Sequence, residues 1–245
     1  MANFLNYLEK NQKSFTEKAF NIIDSLILAY LSYLHFPNTK TKLKDLSVSK
    51  SAKTKKNKEF IKRVIASNRY KDIELCFYVE DTNDLIEKQF SAVTFLLPDN
   101  TMYISFRGTD STLTGWKEDF NMAFMLPVPA QKEALNYVEK ITKLIPRKFY
   151  IGGHSKGGNL AVYAGCNLNR KLSKRIIKIY SHDGPGFLKE FLTTSNYQSI
   201  KEKIEKVVPS SSIIGMLLYT NEHYKIINSS EKGILEHDPF SWLVK

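Results

Sequence analysis

Apolar side chains recur at Ile23, Leu26, Ile27, Tyr30, Leu31 and Leu34, the spacing of one buried helix face, and predict a helix over 20–36. A lysine-rich polar connection follows, with a short helix expected around Glu59–Ala66. From Ile73 the pattern turns to strand character in ELCFYV, SAVTFLL and TMYISF. Pro98-Asp99-Asn100 between the last two is a turn signal, so they are predicted to form a hairpin. After Phe106 strands and helices alternate. Gln131–Ile145 is amphipathic, with Ala134, Leu135, Val138, Ile141 and Ile145 on one side. Lys148–Ile151 reads as a strand, Asn159–Leu168 as a helix and Arg175–Ser181 as a strand, with Lys203–Val208 and Tyr224–Asn228 as further strand candidates. Such alternation implies parallel pairing with right-handed crossovers and helices on both sheet faces. Sites in such sheets gather at the carboxyl ends of the strands. The expectation is one α/β domain over residues 1–245, with a helical and lysine-rich segment at 1–66 and the catalytic core at 67–245.

Length and composition change this picture little. A chain of 245 residues with ordinary apolar and charged fractions is large enough for one well-cored domain. The start, MANFLNYLEKNQKSF, has charged and polar residues where a signal peptide needs an apolar core. The apolar stretch Ile22–Phe36 is short and interrupted by Asp24, Ser25, Ser32 and His35, which argues against a membrane span. Two cysteines, Cys76 and Cys166, fit a reducing compartment, so a cytoplasmic location is expected.

Charge adds one local feature. Ten basic residues against two acidic ones lie between Lys40 and Arg63, so that segment carries +8 of the net +11. One reading is a patch for peripheral contact with an anionic membrane or nucleic acid; the other is a solvated loop and helix end. Nucleic acid is disfavoured, because no aromatic residue interrupts Lys40–Glu59 to stack a base.

The chemistry concentrates in Ile151-Gly152-Gly153-His154-Ser155-Lys156-Gly157-Gly158-Asn159. It contains a G-x-S-x-G placed between a predicted strand and a predicted helix, the context in which that motif bends the chain sharply and presents the serine hydroxyl. Glycines on both flanks remove the Cβ atoms that would collide. Ser155 is therefore the candidate nucleophile, with the backbone N–H of Lys156 available to an oxyanion. A serine nucleophile needs a base and an orienting acid, in the chain order Ser, acid, His. His182 leaves no aspartate between itself and Ser155, and His223 begins a predicted strand. His237, in the loop Leu235–Pro239, is the candidate base. The only aspartate between Ser155 and His237 is Asp183, directly after the RIIKIYS strand. It is the candidate acid, although an Asp before Gly also bonds its own backbone in turns, and the glutamates at 190, 202, 205, 222, 231 and 236 are alternatives. His154 is expected to serve in packing. Phe106-Arg107-Gly108-Thr109-Asp110 ends an earlier strand, so Thr109 can complete the oxyanion hole, while Arg107 and Asp110 can pair to brace the loop.

These residues resemble the class 3 lipases of the α/β-hydrolase superfamily, whose F-R-G-[ST] segment, W-x-x-D and G-H-S-x-G-G correspond here to SFRGTDSTLTGWKEDF and IGGHSKGGNLA. The chain is similar too to a bacterial family of uncharacterised lipase-like proteins, which shares GHSKGGNLA, GPGF and a terminal HDPFSW. The resemblance implies an α/β-hydrolase fold with an N-terminal helical extension. It also implies Ser155 as nucleophile, His237 as base and Thr109 with Lys156 N–H as oxyanion hole. The sequence departs from the pattern twice. Class 3 lipases carry their acid after the strand corresponding to Lys203–Val208, where this chain has Pro209-Ser210-Ser211-Ser212-Ile213. Lys156 also stands where lipases usually carry an apolar residue; its ammonium can pair with a carboxylate or attract an anionic substrate group.

The expected function is hydrolysis of carboxylic esters, small or lipidic, through an acyl-enzyme and without metal or cofactor. Met122–Val128 is a candidate lid or acyl-chain wall, or ordinary core. The competing reading is a hydrolase-fold protein that binds lipid or a protein partner without turnover. The sequence sets no oligomeric state.

Overall fold

The computed structural model describes residues 3–109 and 113–244. Its centre is an eight-stranded sheet in the order β1-β2-β3-β4-β5-β6-β7-β8. The strands are β1 (Thr41–Lys42), β2 (Glu74–Asn83), β3 (Lys88–Leu96), β4 (Met102–Phe106), β5 (Phe149–His154), β6 (Ile176–His182), β7 (Ile204–Pro209) and β8 (Tyr224–Ile227). Strands β1 to β4 pair antiparallel, as the predicted hairpin requires for β3 and β4. From β4 onward every pair is parallel. With helices on both faces this is an α/β-hydrolase fold.

Period-two alternation explains the two cores. Along β4, Met102, Ile104 and Phe106 face one side and Tyr103 the other. One face is covered by α1 (Phe4–Lys10), α2 (Ile22–Leu31), α3 (Val48–Ser51) and α4 (Lys55–Ala66), whose Phe4, Leu26, Ile27 and Phe60 are fully or nearly fully buried. On the other face, α6 (Pro129–Leu144) and α7 (Lys156–Asn167) pack against β3 to β6 through Val138, Ile141, Leu160 and Ala164. The N-terminal segment is thus a full layer of the molecule. A buried ion pair anchors it, with Arg69 donating to both Asp24 carboxylate oxygens at 2.6 and 2.7 Å and Tyr70 adding a third bond. No helix of the described residues is long and apolar enough to cross a membrane.

Several boundaries differ from the sequence pattern, three of them at helix ends near the site or the core. The helix expected over 20–36 ends at Leu31, where the Ser32 hydroxyl bonds the Ala29 carbonyl and the chain tightens into turns that still bury Leu34. The helix expected at Glu59 starts a turn earlier, at Lys55, because Thr54 caps it by accepting the Asn57 N–H. The helix after the serine starts at Lys156 itself, without an intervening turn.

Candidate active site

Ser155 sits between β5 and α7 with φ 58° and ψ −135°, a strained backbone for any residue but glycine. The turn closes because its flanks lack side chains. A Cβ on Gly153 would lie 2.4 Å from the Gly157 carbonyl carbon, and one on Gly157 would lie 2.2 Å from the Phe106 oxygen. Strand β5 thereby delivers the serine to the carboxyl edge of the sheet. Lys156, first residue of α7, has a backbone N–H without an intrahelical acceptor.

His237 ends a short 3-10 turn, Gly233–His237. The carboxylate Oδ2 of Asp183 accepts from the His237 Nδ1 at 2.6 Å, which leaves Nε2 for a second partner. Asp183 is fully buried just beyond β6, in a left-handed conformation with φ 51°. Its N–H bonds the Val207 carbonyl of β7 at 2.7 Å, so the two strand ends fix it together. The second carboxylate oxygen accepts from Ser212 Oγ. Of the three serines standing where the acid was expected after β7, Ser212 therefore supports the candidate acid one strand earlier. Ser210 and Ser211 instead meet Glu236, which the Ser211 N–H approaches at 2.8 Å. Glu236 lies next to the base in sequence but turns away from its ring.

Thr109 lines the same cavity as Ser155 and His237, and its hydroxyl donates to Asp119 Oδ2 at 2.5 Å. Asp119 belongs to α5 (Leu113–Asn121) and closes the W-x-x-D motif, the signal by which sequence could have singled it out. Burial raises its carboxyl above the usual range, against the pull of Lys156 and the Thr109 hydrogen bond. The Trp116 side chain and Asp110, the expected partner of Arg107, lie outside the described residues; Arg107 Nη1 bonds Glu80 Oε1 at 2.6 Å. The Lys156 ammonium is buried and points away from the cavity's chemistry. It donates to Glu118 Oε2 at 2.9 Å and to Gln89 through Oε1 and the backbone oxygen, at 3.0 and 3.1 Å. Of the two readings of Lys156, the geometry matches pairing with a carboxylate.

The other histidines separate cleanly. His182 is buried against Ser25 Oγ at 2.9 Å, and burial lowers its pKa to about 3. His223 is exposed just before β8. His154, expected to pack, also hydrogen-bonds at both ring nitrogens, to Tyr33 and to the His237 carbonyl.

Two cavities meet at Thr109, Ser155, Ile234 and His237. One, of about 520 Å³, has an apolar wall that includes Met122, Pro185, Ile214, Leu217 and Leu218. Met122 and Ala123 place the start of the Met122–Val128 segment in that wall, while Phe124 and Met125 are exposed. The other, about 540 Å³, runs past Tyr30, Tyr33, Glu231 and Asp238.

A family model described as Mbeg1-like matches residues 64–245. No curated protein matches the chain in sequence. Among solved structures, a fungal lipase in complex with an inhibitor is 17% identical, covers 58% of this chain and 59% of its own, and has a TM-score of 0.46. The Rhizomucor miehei lipase in its propeptide complex is 18% identical, with 63% and 57% covered and a TM-score of 0.45. M37 lipase is 15% identical, with 78% and 68% covered and a TM-score of 0.47. The chain thus spans less than two thirds of the length of the first two.

Proposed function

The chain belongs to the Mbeg1-like family, and we propose that it is a serine hydrolase of carboxylic esters, related in its chemistry to the class 3 lipases. The observation that carries the reading is the His237–Asp183 pair, 2.6 Å apart, opening on the cavity that holds the strained Ser155. Ser155 Oγ attacks the ester carbonyl while His237 Nε2 takes its proton. Asp183 holds the imidazole in the required tautomer and stabilises the imidazolium. Negative charge collects on the carbonyl oxygen, where the N–H groups of Lys156 and Thr109 receive it. The imidazolium then protonates the departing alkoxide, and the alcohol leaves an acyl-serine. Water, deprotonated by His237, attacks that ester and restores the serine.

The apolar cavity suits the acyl portion of a lipid-like ester. The competing reading, binding without turnover, has as support the missing carboxylate after β7 and the basic segment at 40–63; Asp183 beside His237 weighs against the first of these. A cytoplasmic location, the expectation from the cysteine content, is part of the same proposal. Peripheral contact with an anionic membrane is drawn more narrowly than the lysine-rich segment as a whole. Lys40, Lys42, Lys44, Lys56 and Arg63 pair with carboxylates, whereas exposed Lys50, Lys53, Lys55, Lys58 and Lys62 have no ion-pair partner among the described residues. A series of p-nitrophenyl esters from acetate to palmitate tests the activity. Turnover that rises with chain length supports the lipid-ester reading, and no turnover at any length removes it.

A further inference from the structure

We propose that Tyr33 and His154 are positioning residues of this site, forming a hydrogen-bonded relay from the N-terminal layer to the backbone of the base. The inference rests on the hydrolase reading and concerns two polar groups, a buried histidine and a half-buried tyrosine, that the reaction itself does not use.

The direction of each hydrogen bond follows from elimination. His154 Nε2 lies 2.8 Å from the His237 carbonyl oxygen, and Nδ1 lies 3.0 Å from Tyr33 Oη. A carbonyl only accepts, so Nε2 carries the proton. Burial, reinforced by the nearby His237, holds His154 well below the usual imidazole range, so the ring is neutral and Nδ1 is a bare acceptor. Tyr33 must then donate to it. Burial also pushes the Tyr33 phenol up, so that donor persists at any ordinary pH. The Tyr33 hydroxyl also lies against Gly108, where a Cβ on that glycine would come within 2.2 Å of Oη. The relay has one polarity: Tyr33 to His154, His154 to His237.

Each end meets a working part. Gly108 immediately precedes Thr109, and the His237 carbonyl belongs to the residue whose ring takes the proton. The His154 and His237 rings also face one another, centroids 4.5 Å apart. The loop carrying His237 needs such a hold, because its Ile234 and Leu235 are largely exposed. Asp238 and Phe240 give it further attachments to the same N-terminal layer, the first by pairing with Lys56 and the second by packing on Phe4, Tyr30 and Phe60. Tyr33 lies before the region that the family model matches. The N-terminal layer therefore scaffolds the site as well as closing the core.

The test is steady-state hydrolysis of p-nitrophenyl butyrate by the full chain and by Tyr33→Phe, His154→Leu and His154→Gln. Misplacing the base lowers kcat, so we expect a fall of roughly 10-fold in Tyr33→Phe and roughly 100-fold in His154→Leu, with KM within about twofold. His154→Gln, whose amide nitrogen reaches the place of Nε2, recovers most of the loss. Thermal melts of the same samples separate lost position from lost fold. Wild-type kcat in both Tyr33→Phe and His154→Leu overturns the relay while leaving the hydrolase reading intact. If the wild-type chain turns over no ester of the acetate-to-palmitate series, that reading falls, and imidazole 15N NMR then decides the relay. A protonated Nε2 and bare Nδ1 on His154 at neutral pH, with the Nδ1 resonance moving in Tyr33→Phe, support it. The opposite tautomer overturns it.

Discussion

The candidate nucleophile and the candidate acid–base pair are built by different means. On the first, six consecutive residues from Gly153 to Gly158 create the feature, and its strain is local: a positive φ at Ser155 made feasible by glycines that touch backbone. On the second, His237 and Asp183 are 54 positions apart, and Ser212 reaches Asp183 across another 29. There too Asp183 has a positive φ, of 51°, but what brings it to the base is contact between distant segments. The difference teaches where each kind of information resides. A tight turn is written in neighbouring residues, whereas a triad acid is written in which strand ends lie side by side.

Asp183→Asn attacks the long-range side most severely. An amide there favours the wrong imidazole tautomer and lowers kcat by roughly 10⁴-fold, by analogy with serine-protease triads. Glu236→Gln, changing the carboxylate nearest in sequence to the base, should stay within about threefold. Ester hydrolysis under saturating substrate checks both, and the reverse ranking would make Glu236 the acid.

On the nucleophile side, Lys156→Met should separate backbone from side chain. It leaves the fully buried Glu118 without its cation, which destabilises the fold by about 3–5 kcal/mol. Urea unfolding reads that loss, while kcat of the folded fraction stays within a few-fold because the N–H remains.

His182 ends β6 beside the acid and gives that side a pH signature. Its folded pKa of about 3 lies below the ordinary value of 6.5, so between those values the unfolded chain binds more protons. Stability therefore falls as pH drops from about 6.5 towards 3, by about 1.4 kcal/mol per pH unit from this residue. His154 contributes in the same direction. Melting temperature against pH should be flatter in His182→Gln than in the wild type.

The smallest effect belongs to Ser212→Ala. Removing one donor to Asp183 should lower kcat by about 3- to 10-fold, the size of a single hydrogen bond to a charge shared among several. An unchanged rate would mean that the serines after β7 do not support the acid.

The contrast also explains how far the sequence could be read. Alternation and helical spacing located the hairpin, the crossover helices and the elbow, because each depends on neighbours within one or two turns. His237 and Asp183 followed from chain order and from there being one aspartate in the interval. The role of Ser212 had no local signature, since it depends on β6 and β7 being adjacent. The same holds for His154: lying beside Ser155 made it look like packing, and only the arrival of Tyr33 and the His237 loop gives its two nitrogens partners. Lys156 kept two readings until α5 placed Glu118 against it. The antiparallel half of the sheet was visible for β3 and β4 alone: β1 and β2 pair across a long connection, and the short β2–β3 turn at 84–87 carries no glycine or proline.

Covalent capture with a fluorophosphonate tests the central claim most directly. The account predicts that the wild-type protein gains one phosphonyl group, mapped by mass spectrometry to the peptide containing Ser155. It predicts no labelling of Ser155→Ala and strongly slowed labelling of His237→Ala. A folded wild-type protein that takes up no label, or takes it up equally in Ser155→Ala, would contradict it.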